Sequence, residues 1–472
     1  MDAVFIGFVV YLVVVLVAGA LTYKLNETQE DFLLAGRKLN IWVATFSERA
    51  SGESAWLLLG LPAAALAVGM GEAWTVVGCV TGIALSWIFV AERLRKDTEK
   101  YDALTLPEYF MKRFGDRSSN AIRFVATAII VFFYAFYVAA QFNGAGKVLD
   151  VTFGIPQPWG IVLGAVVIIL YTMMGGFFAV AWTDFLQAIL MFATLVVLPI
   201  VAYSEITAGG GTMALAADKA SWFGDKTGIA AFAAVVGGLS WGFGYFGQPH
   251  TVTRYMSLAD PKSVKIGRFI AISWAVPAFI GAMTIGIAGA TMYAGVTFDD
   301  PEQLMPRMAT DLLPGWLAGI FISGAVAAMM STADSQLLVG TSAVAEDFYR
   351  RGLNKELTQQ RLVWISRVVT IGLGVAGFVL AVVSDKLIFA LVSYAWSGLG
   401  SSFGPAVLAC LYWKGTTARG VLWGMITGAT TTVIWSNIDV LNDTLNVRAG
   451  AFLLATLALV IGSLTDREGR TA

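Results

Sequence analysis

Apolar residues in this chain gather into long runs separated by short polar stretches. A run of about 20 apolar residues matches the ~30 Å hydrocarbon core of a bilayer when wound as a helix. Length and hydropathy mark about thirteen such segments, near 4–23, 41–68, 71–91, 121–149, 156–176, 179–204, 229–250, 267–294, 315–344, 362–383, 387–412, 417–437 and 449–465. The pattern predicts an all-α polytopic membrane protein, one transmembrane domain over 1–472. The first run has Asp2 before it and its first lysine, Lys24, after it. It therefore reads as a retained span with its N-terminus outside, not as a secretory signal.

Two segments break the pattern. Between Ile41 and Val68 the middle is Ser47 to Trp56, with two carboxylates, a guanidinium, three serines and a glycine. One reading is a polar loop between short helices. The other is a span whose helix breaks at membrane depth, freeing backbone carbonyls for a cation. Within it Arg49 stands one helical turn before Glu53, an i,i+4 pair that would neutralise both. The second odd segment, Gly237 to His250, packs five glycines and Pro249 among aromatics. Either small residues let helices pack closely here, or this helix is broken too. Position favours the break. The first odd helix opens a block of five segments, 41–204, and the second opens another, 229–412. Blocks with an odd number of spans insert in opposite senses, and paired broken helices in inverted halves mark a secondary transporter with its site between them. The segment 4–23 is then an extra N-terminal helix, and 417–465 two extra C-terminal ones.

Charge supports this layout. Only 13% of residues are charged and 57% are hydrophobic, against about 25% charged in soluble domains; mean hydropathy is +0.72. With the N-terminus outside and the C-terminus inside, the inner loops hold Lys24, Arg37, Lys38, the basic cluster from Arg93 to Arg117, Arg254, Lys262, Lys265, Arg268, Arg350, Arg351, Lys355, Arg361, Lys414, Arg419, Arg467 and Arg470. The outer loops hold only Lys219, Lys226, Arg307, Lys386 and Arg448. The net charge of −1 and scattered basic residues give no sign of nucleic-acid binding. Two cysteines, Cys79 and Cys410, both in apolar runs, and one histidine, His250, exclude a disulfide framework and the usual metal and nucleophile constellations. No motif for an enzyme, a bound organic cofactor or an obligate protein partner is evident. The stretch Asp97 to Asn120 predicts an amphipathic helix on the cytoplasmic surface. The outer linkers, about 205–228 and 295–314, show no evident chemistry.

Further polar groups lie at membrane depth. Ser331, Thr332, Asp334 and Ser335 follow an apolar run; hydroxyls around a carboxylate suit a hard cation. Asp184 is either a helix-end cap or an ion ligand. Tyr137, Gln141, Asn143 and Lys147 share roughly one helical face, lining a pathway or making interhelical hydrogen bonds.

The chain resembles the sodium:solute symporter family over nearly its whole length, most of all its sodium/proline branch. The motifs that carry the likeness are Asp31 to Arg37 (DFLLAGR), Ser54 to Pro62 (SAWLLLGLP), Ala103 to Pro107 (ALTLP), Gly175 to Asp184 (GGFFAVAWTD), Gly244 to His250 (GYFGQPH), Met330 to Thr332 with Gln336 to Val339, and Leu391 to Trp396 (LVSYAW). The resemblance implies a leucine-transporter-type inverted-repeat (5+5) fold in the plasma (inner) membrane. It implies import of a small amino acid, L-proline foremost, driven by sodium ion. Carried over by residue, it implies a principal sodium site on the carbonyls of Ala50, Glu53 and Ala328 and the hydroxyls of Ser331 and Thr332. A second sodium site is implied at Asp184, Ser331, Asp334 and Ser335, and a substrate region at Ser54, Trp56, Gly60, Tyr137 and Trp241, with the solute held between the two tryptophans.

One departure stands out. Where the proline branch usually has Asp followed by an apolar residue, this chain has Gly52-Glu53, and Arg49 replaces a small residue. Three consequences follow: Glu53 supplies the same charge from unwound backbone, pairs with Arg49, or carries a proton. Arg49 and Glu53 are thus coupling candidates. The alternatives are the same fold with a betaine-like or carboxylate solute or with proton coupling through Glu53, and, from another class, a membrane nutrient sensor.

Overall fold

A computed structural model describes residues 3–22, 29–115, 119–174, 176–213, 215–353 and 358–466. Lys24, Arg117, Gly175, Lys355, Arg467 and Arg470, used above, lie outside the described residues. The chain runs through α1 Ala3–Thr22, α2 Gln29–Leu34, α3 Ile41–Gly52, α4 Leu61–Val68, α5 Ala73–Phe89, α6 Ala91–Lys100, α7 Leu106–Phe114, α8 Ser119–Phe153, α9 Gln157–Met174, α10 Phe177–Ala208 and α11 Ala217–Ala220. It continues through α12 Gly228–Leu239, α13 Trp241–Gly244, α14 Pro249–Met256, α15 Val264–Met292, α16 Leu304–Leu312, α17 Gly315–Ser342, α18 Gln359–Val383, α19 Ile388–Tyr412, α20 Ala418–Ser436, α21 Asp439–Thr444 and α22 Val447–Thr465. Among the described residues the only extended pairing is one isolated bridge, Leu39 to Leu258.

Each of the thirteen apolar segments is helical over most of its described residues. Among the described residues seven helices are long and apolar enough to cross a membrane, or eight when the bent pair Gly228–Gly244 and Pro249–Met256 forms one span. The second segment is interrupted after Gly52.

The molecule is turned inside out relative to a soluble protein. Ile200, Phe269, Trp364 and Val383 stand exposed, while Arg49, Arg254, Glu48 and Asp184 are fully buried. Apolar side chains can face lipid without cost, so ionic groups collect where partners can satisfy them.

α3, α10 and α1 all pack on α17, and α1 also packs on α10. The α1–α17 contact is backbone to backbone: a Cβ on Gly319 would strike the carbonyl of Val4. Tyr11 of α1 donates to Met330 Sδ at 3.8 Å and accepts from Gln187 Nε2 at 3.2 Å. α7 begins with Thr105 accepting from the Glu108 backbone N–H at 3.1 Å, while Glu108 accepts from that of Leu104 at 2.8 Å. This is close to a capping box. The predicted amphipathic stretch becomes α6 and α7, and α7 buries Leu106 to Phe110.

Three loop assignments are corrected. Arg254, counted with the inner-loop charges, is buried in α14 and ion-paired to Asp184 at 2.9 Å. Arg448, counted with the outer loops, is buried against Trp241. The outer linker 295–314 does carry chemistry. Its buried Glu302 accepts from the backbone N–H groups of Ile388 at 2.9 Å and Phe389 at 3.0 Å, and pairs with Lys147 at 2.6 Å. Lys147 also reaches Asp300 at 2.7 Å. Hydropathy counts a charge by its neighbours in sequence; these three find their partners far along the chain.

Candidate functional site

Both odd segments are broken helices. α3 starts on Asn40, whose side chain accepts from the Val43 N–H at 3.0 Å. It ends where Glu53 leaves helical geometry (φ −104°, ψ 10°). The chain resumes through a wide π turn, Trp56–Gly60, before α4. Pro62 lacks an N–H and crowds the carbonyl four residues back, so the turn ahead of it widens. The side chain of Gln141 accepts from the Ala55 N–H at 3.1 Å, closing the break from α8. In the second segment α12 stops at Leu239, α13 is a single turn, and α14 restarts on Pro249, bent by 43°. Close packing also operates here. A Cβ on Gly242 would run into the Gly78 carbonyl of α5, so backbones touch where side chains normally intervene.

The end of α3 meets α17. Ser331 Oγ donates to the carbonyls of Ala50 at 3.1 Å and Ala328 at 3.2 Å; Thr332 Oγ1 donates to that of Ser51 at 3.0 Å and lies 3.5 Å from that of Ala50. Trp56 Nε1 covers the Gly52 carbonyl at 3.4 Å. Carbonyls at a helix C-terminus carry the negative end of the helix dipole. Two such carbonyls, a third from α17 and two hydroxyls converge on one spot. Hard oxygens in that number suit a small monovalent cation. Four of the five expected ligand residues, Ala50, Ala328, Ser331 and Thr332, are brought together. Glu53 lies at the break, and its side chain is engaged elsewhere.

That engagement forms the first of two ionic clusters. Arg49 Nη1 donates to Glu53 Oε1 at 2.7 Å, its Nε to Glu48 Oε2 at 2.6 Å, and its Nη2 also pairs with Glu48. The Tyr245 hydroxyl donates to both Glu53 oxygens at 3.1 and 3.2 Å. Trp87 Nε1 donates to Glu48 at 3.2 Å and the Tyr255 hydroxyl lies at 3.5 Å. The expected Arg49–Glu53 pair is thus a triad that ties the two broken helices together. Glu48 was quoted in the polar stretch but given no role; its adjacency to Arg49 was the available signal.

The second cluster lies on the face of α3 that presents Ser47 and Ser51. Asp184 Oδ2 accepts from Ser47 at 2.6 Å, Ser51 at 3.0 Å and Arg254 Nη2 at 2.9 Å. Arg254 also donates to Ser51 at 2.8 Å, Ser47 at 3.1 Å and Ser335. Ser335 Oγ lies 3.0 Å from Ser51 Oγ and 3.3 Å from Asp334 Oδ1. Asp184, Ser331, Asp334 and Ser335 do gather, but with a guanidinium among them that the sequence reading missed. Asp184 Oδ1 and Asp334 Oδ2 remain buried without a hydrogen-bond partner. Each cluster therefore sets one guanidinium against two carboxylates.

The aromatic region sits beside the first break. Trp56 and Trp241 stack directly, ring centres 4.7 Å apart and planes 12° apart. Phe279 and Phe389 pack around Trp56 at 5.7 and 6.2 Å, and Trp396 Nε1 donates to the Trp241 carbonyl at 2.9 Å. This corrects one expectation: rings in contact leave no gap between them for a solute in this conformation. Gly60 faces Phe389, where a Cβ would sit 3.2 Å from the Phe389 Cβ. Ser54 Oγ accepts from the Trp56 N–H at 3.4 Å. Tyr137 packs edge-on to His250 at 5.8 Å and Trp396 at 6.5 Å.

Comparison with known proteins identifies the family. The sequence model of the Sodium:solute symporter family matches residues 32–428. The high-affinity proline transporter PutP of Bacillus subtilis is 36% identical over 455 residues, 95% of this chain and 95% of that protein. The sodium/proline symporter of Escherichia coli is 34% identical over 474 residues, 99% of this chain and 94% of that one. Among solved structures, a Na+-coupled sialic acid symporter in a substrate-bound outward-open state superposes with a TM-score of 0.78 at 20% identity, covering 98% of each chain. That last likeness, at 20% identity, shows a shared fold. A family match over most of the chain, together with relatives above 30% identity end to end, places this protein in the sodium:solute symporter family.

Proposed function

We propose that the protein is a sodium-coupled secondary symporter that imports a small amino acid, L-proline foremost, by alternating access across the plasma (inner) membrane. The observation that carries the reading is the oxygen cradle of Ala50, Ala328, Ser331 and Thr332 at the first helix break. The relatives named as proline transporters support the choice of solute. The engagement of Glu53 by Arg49 and Tyr245 supports sodium over a proton carried on Glu53.

In this reading sodium binds where the C-terminal end of α3 meets α17, displacing the hydroxyl-to-carbonyl hydrogen bonds that now hold the two helices together. Ser54, Trp56, Gly60, Tyr137 and Trp241 form the substrate region, and the Trp56–Trp241 stack parts as the solute enters. Arg254 supplies one tethered positive charge to the Asp184–Asp334–Ser335 cluster, and the second carboxylate there is the place for a second sodium. The thirteen helical segments are taken as spans, N-terminus outside and C-terminus inside, with 41–204 and 229–412 as inverted halves that rock about the site. The lipid bilayer is the one structural partner this requires.

The test is uptake of radiolabelled L-proline into proteoliposomes under an inward sodium gradient, a proton gradient, or neither. Accumulation under the sodium gradient alone is the expected result. Uptake driven by protons without sodium refutes the coupling, and absence of proline uptake in folded protein refutes the solute.

A further inference from the structure

Arg448 opens α22, beyond the residues matched by the family. Its guanidinium carbon lies 4.3 Å over the Trp241 ring. Trp56 stacks on that same ring at 4.7 Å. Two groups this close to one ring centre occupy its opposite faces, so Arg448, Trp241 and Trp56 form a three-layer stack. The guanidinium donates from Nη2 to the Gly237 carbonyl at 2.9 Å, from Nε to Ser240 Oγ at 3.3 Å and from Nη1 to Ser393 Oγ. Gly237 and Ser240 belong to the second helix break.

Among the described residues this side chain has no carboxylate within ion-pair distance. Arg49, Arg254 and Lys147 are equally buried, and each meets a carboxylate within ion-pair distance. Arg448 is only 7% exposed and, among the described residues, meets none; Glu72 acts on it from farther away. A guanidinium removed from water without a counter-ion is costly, and neutral hydroxyls and a carbonyl compensate only in part. Three of its five N–H donors are spent on neutral acceptors that a carboxylate outcompetes. The surroundings fit a small zwitterion. Ser393 adds a hydroxyl donor, Ser240 spends its own on the Gly237 carbonyl at 2.7 Å, and Trp241 and Phe389, with ring centres 5.2 Å apart, offer an apolar wall.

We propose that Arg448 anchors the carboxylate of the transported amino acid in an outer subsite directly above the Trp241–Trp56 pair. The inference rests on the symporter reading and on its orientation, which puts the start of α22 at the outer end of the molecule. The solute reaches Arg448 first, docks its carboxylate there, and passes to the inner face of Trp241 as the stack opens.

The test compares L-proline with L-prolinamide, which lacks the carboxylate, as competitors of sodium-driven uptake in proteoliposomes of the full chain. Arg448→Met is expected to weaken L-proline by about tenfold or more, as for loss of a charge-assisted bidentate contact. L-Prolinamide should shift little, and half-saturating sodium should stay as in the wild type. Arg448→Lys, keeping charge without the fork, should fall between. Proline and prolinamide weakening together, or proline unaffected, overturns the proposal and leaves Arg448 as support for Trp241. If Arg448→Met does not fold, the lysine variant carries the same comparison. Wild-type protein that takes up another amino acid and not proline refutes the solute assignment alone. The acid–amide pair is then made from that amino acid and judged by the same two outcomes.

Discussion

Replacing Arg49 by methionine tests the ionic triad at the first break. Arg49 holds Glu48 and Glu53 through three contacts, and all three side chains are fully buried. Methionine fills much of the volume but strands two carboxylates beside each other. Removing one partner of a buried ion pair costs about 3–5 kcal/mol, because the remaining charge stays desolvated. Here two charges are stranded, but Tyr245 and Trp87 continue to donate to them. About 4 kcal/mol is therefore the expected loss, a large part of the roughly 5–15 kcal/mol that holds a typical fold together. Neutralising the whole set tells a different story. A triple variant, Glu48→Gln, Arg49→Met and Glu53→Gln, buries no unpaired charge and should regain most of that stability. The assay is equilibrium unfolding of purified protein in mixed micelles, following tryptophan fluorescence, with the single and triple variants in one series. A single variant within about 1 kcal/mol of the wild type, or a triple variant as unstable as the single one, refutes the argument that charge pairing holds this break together.

Ser331→Ala or Thr332→Ala removes a hydroxyl from the oxygen cradle. Each should raise half-saturating sodium about tenfold, near 1.4 kcal/mol, in uptake assays, and unchanged sodium dependence in both rules out that site. Arg254→Gln takes the tethered cation from between Asp184 and Asp334; the Hill coefficient for sodium should rise above that of the wild type, while a flat or lowered coefficient argues against cation binding there. Gly242→Ala places a Cβ against the Gly78 carbonyl and should destabilise by about 1–3 kcal/mol as overpacking does, with Ala at Gly372, which faces open space on the outside of α18, as the neutral control.

Much of this site is legible from the chain alone, for a physical reason. A hydroxyl, a glycine or a carboxylate inside an apolar run stands out because hydrocarbon tolerates it poorly. That contrast exposes the break at Ser51 to Ser54, the break at Gly237 to Pro249, and the group from Ser331 to Ser335. It fails where a residue's meaning depends on a partner far away. Arg254 sits in a polar stretch that reads as a loop edge, and only the fold brings Asp184 of α10 to it. Arg448 looks like one more positive charge beside a helix, yet it lies over Trp241, some two hundred residues earlier. Glu302 sits in a linker without pattern, and its job is to meet the first backbone N–H groups of α19. The Trp56–Trp241 contact illustrates a further limit of composition: two aromatic residues near a break suggest rings that line it, but not whether those rings stand apart or together.

The backbone contact between α1 and α17 has a consequence for how the protein is made. Val4 and Gly319 touch, yet the ribosome adds roughly 5–20 residues per second, so on the order of tens of seconds separate their synthesis. For that interval the first helix must wait in the bilayer without the neighbour it is shaped to meet. Its composition permits the wait: it carries no charge from Ala3 to Thr22, and Phe5, Ile6, Val10 and Val13 still face outward in the finished molecule. Arrival of α17 brings Tyr11 to Met330, the residue before Ser331. The first helix thus meets α17 only after more than half of the chain has been made, and the oxygen cradle at the first helix break forms no earlier.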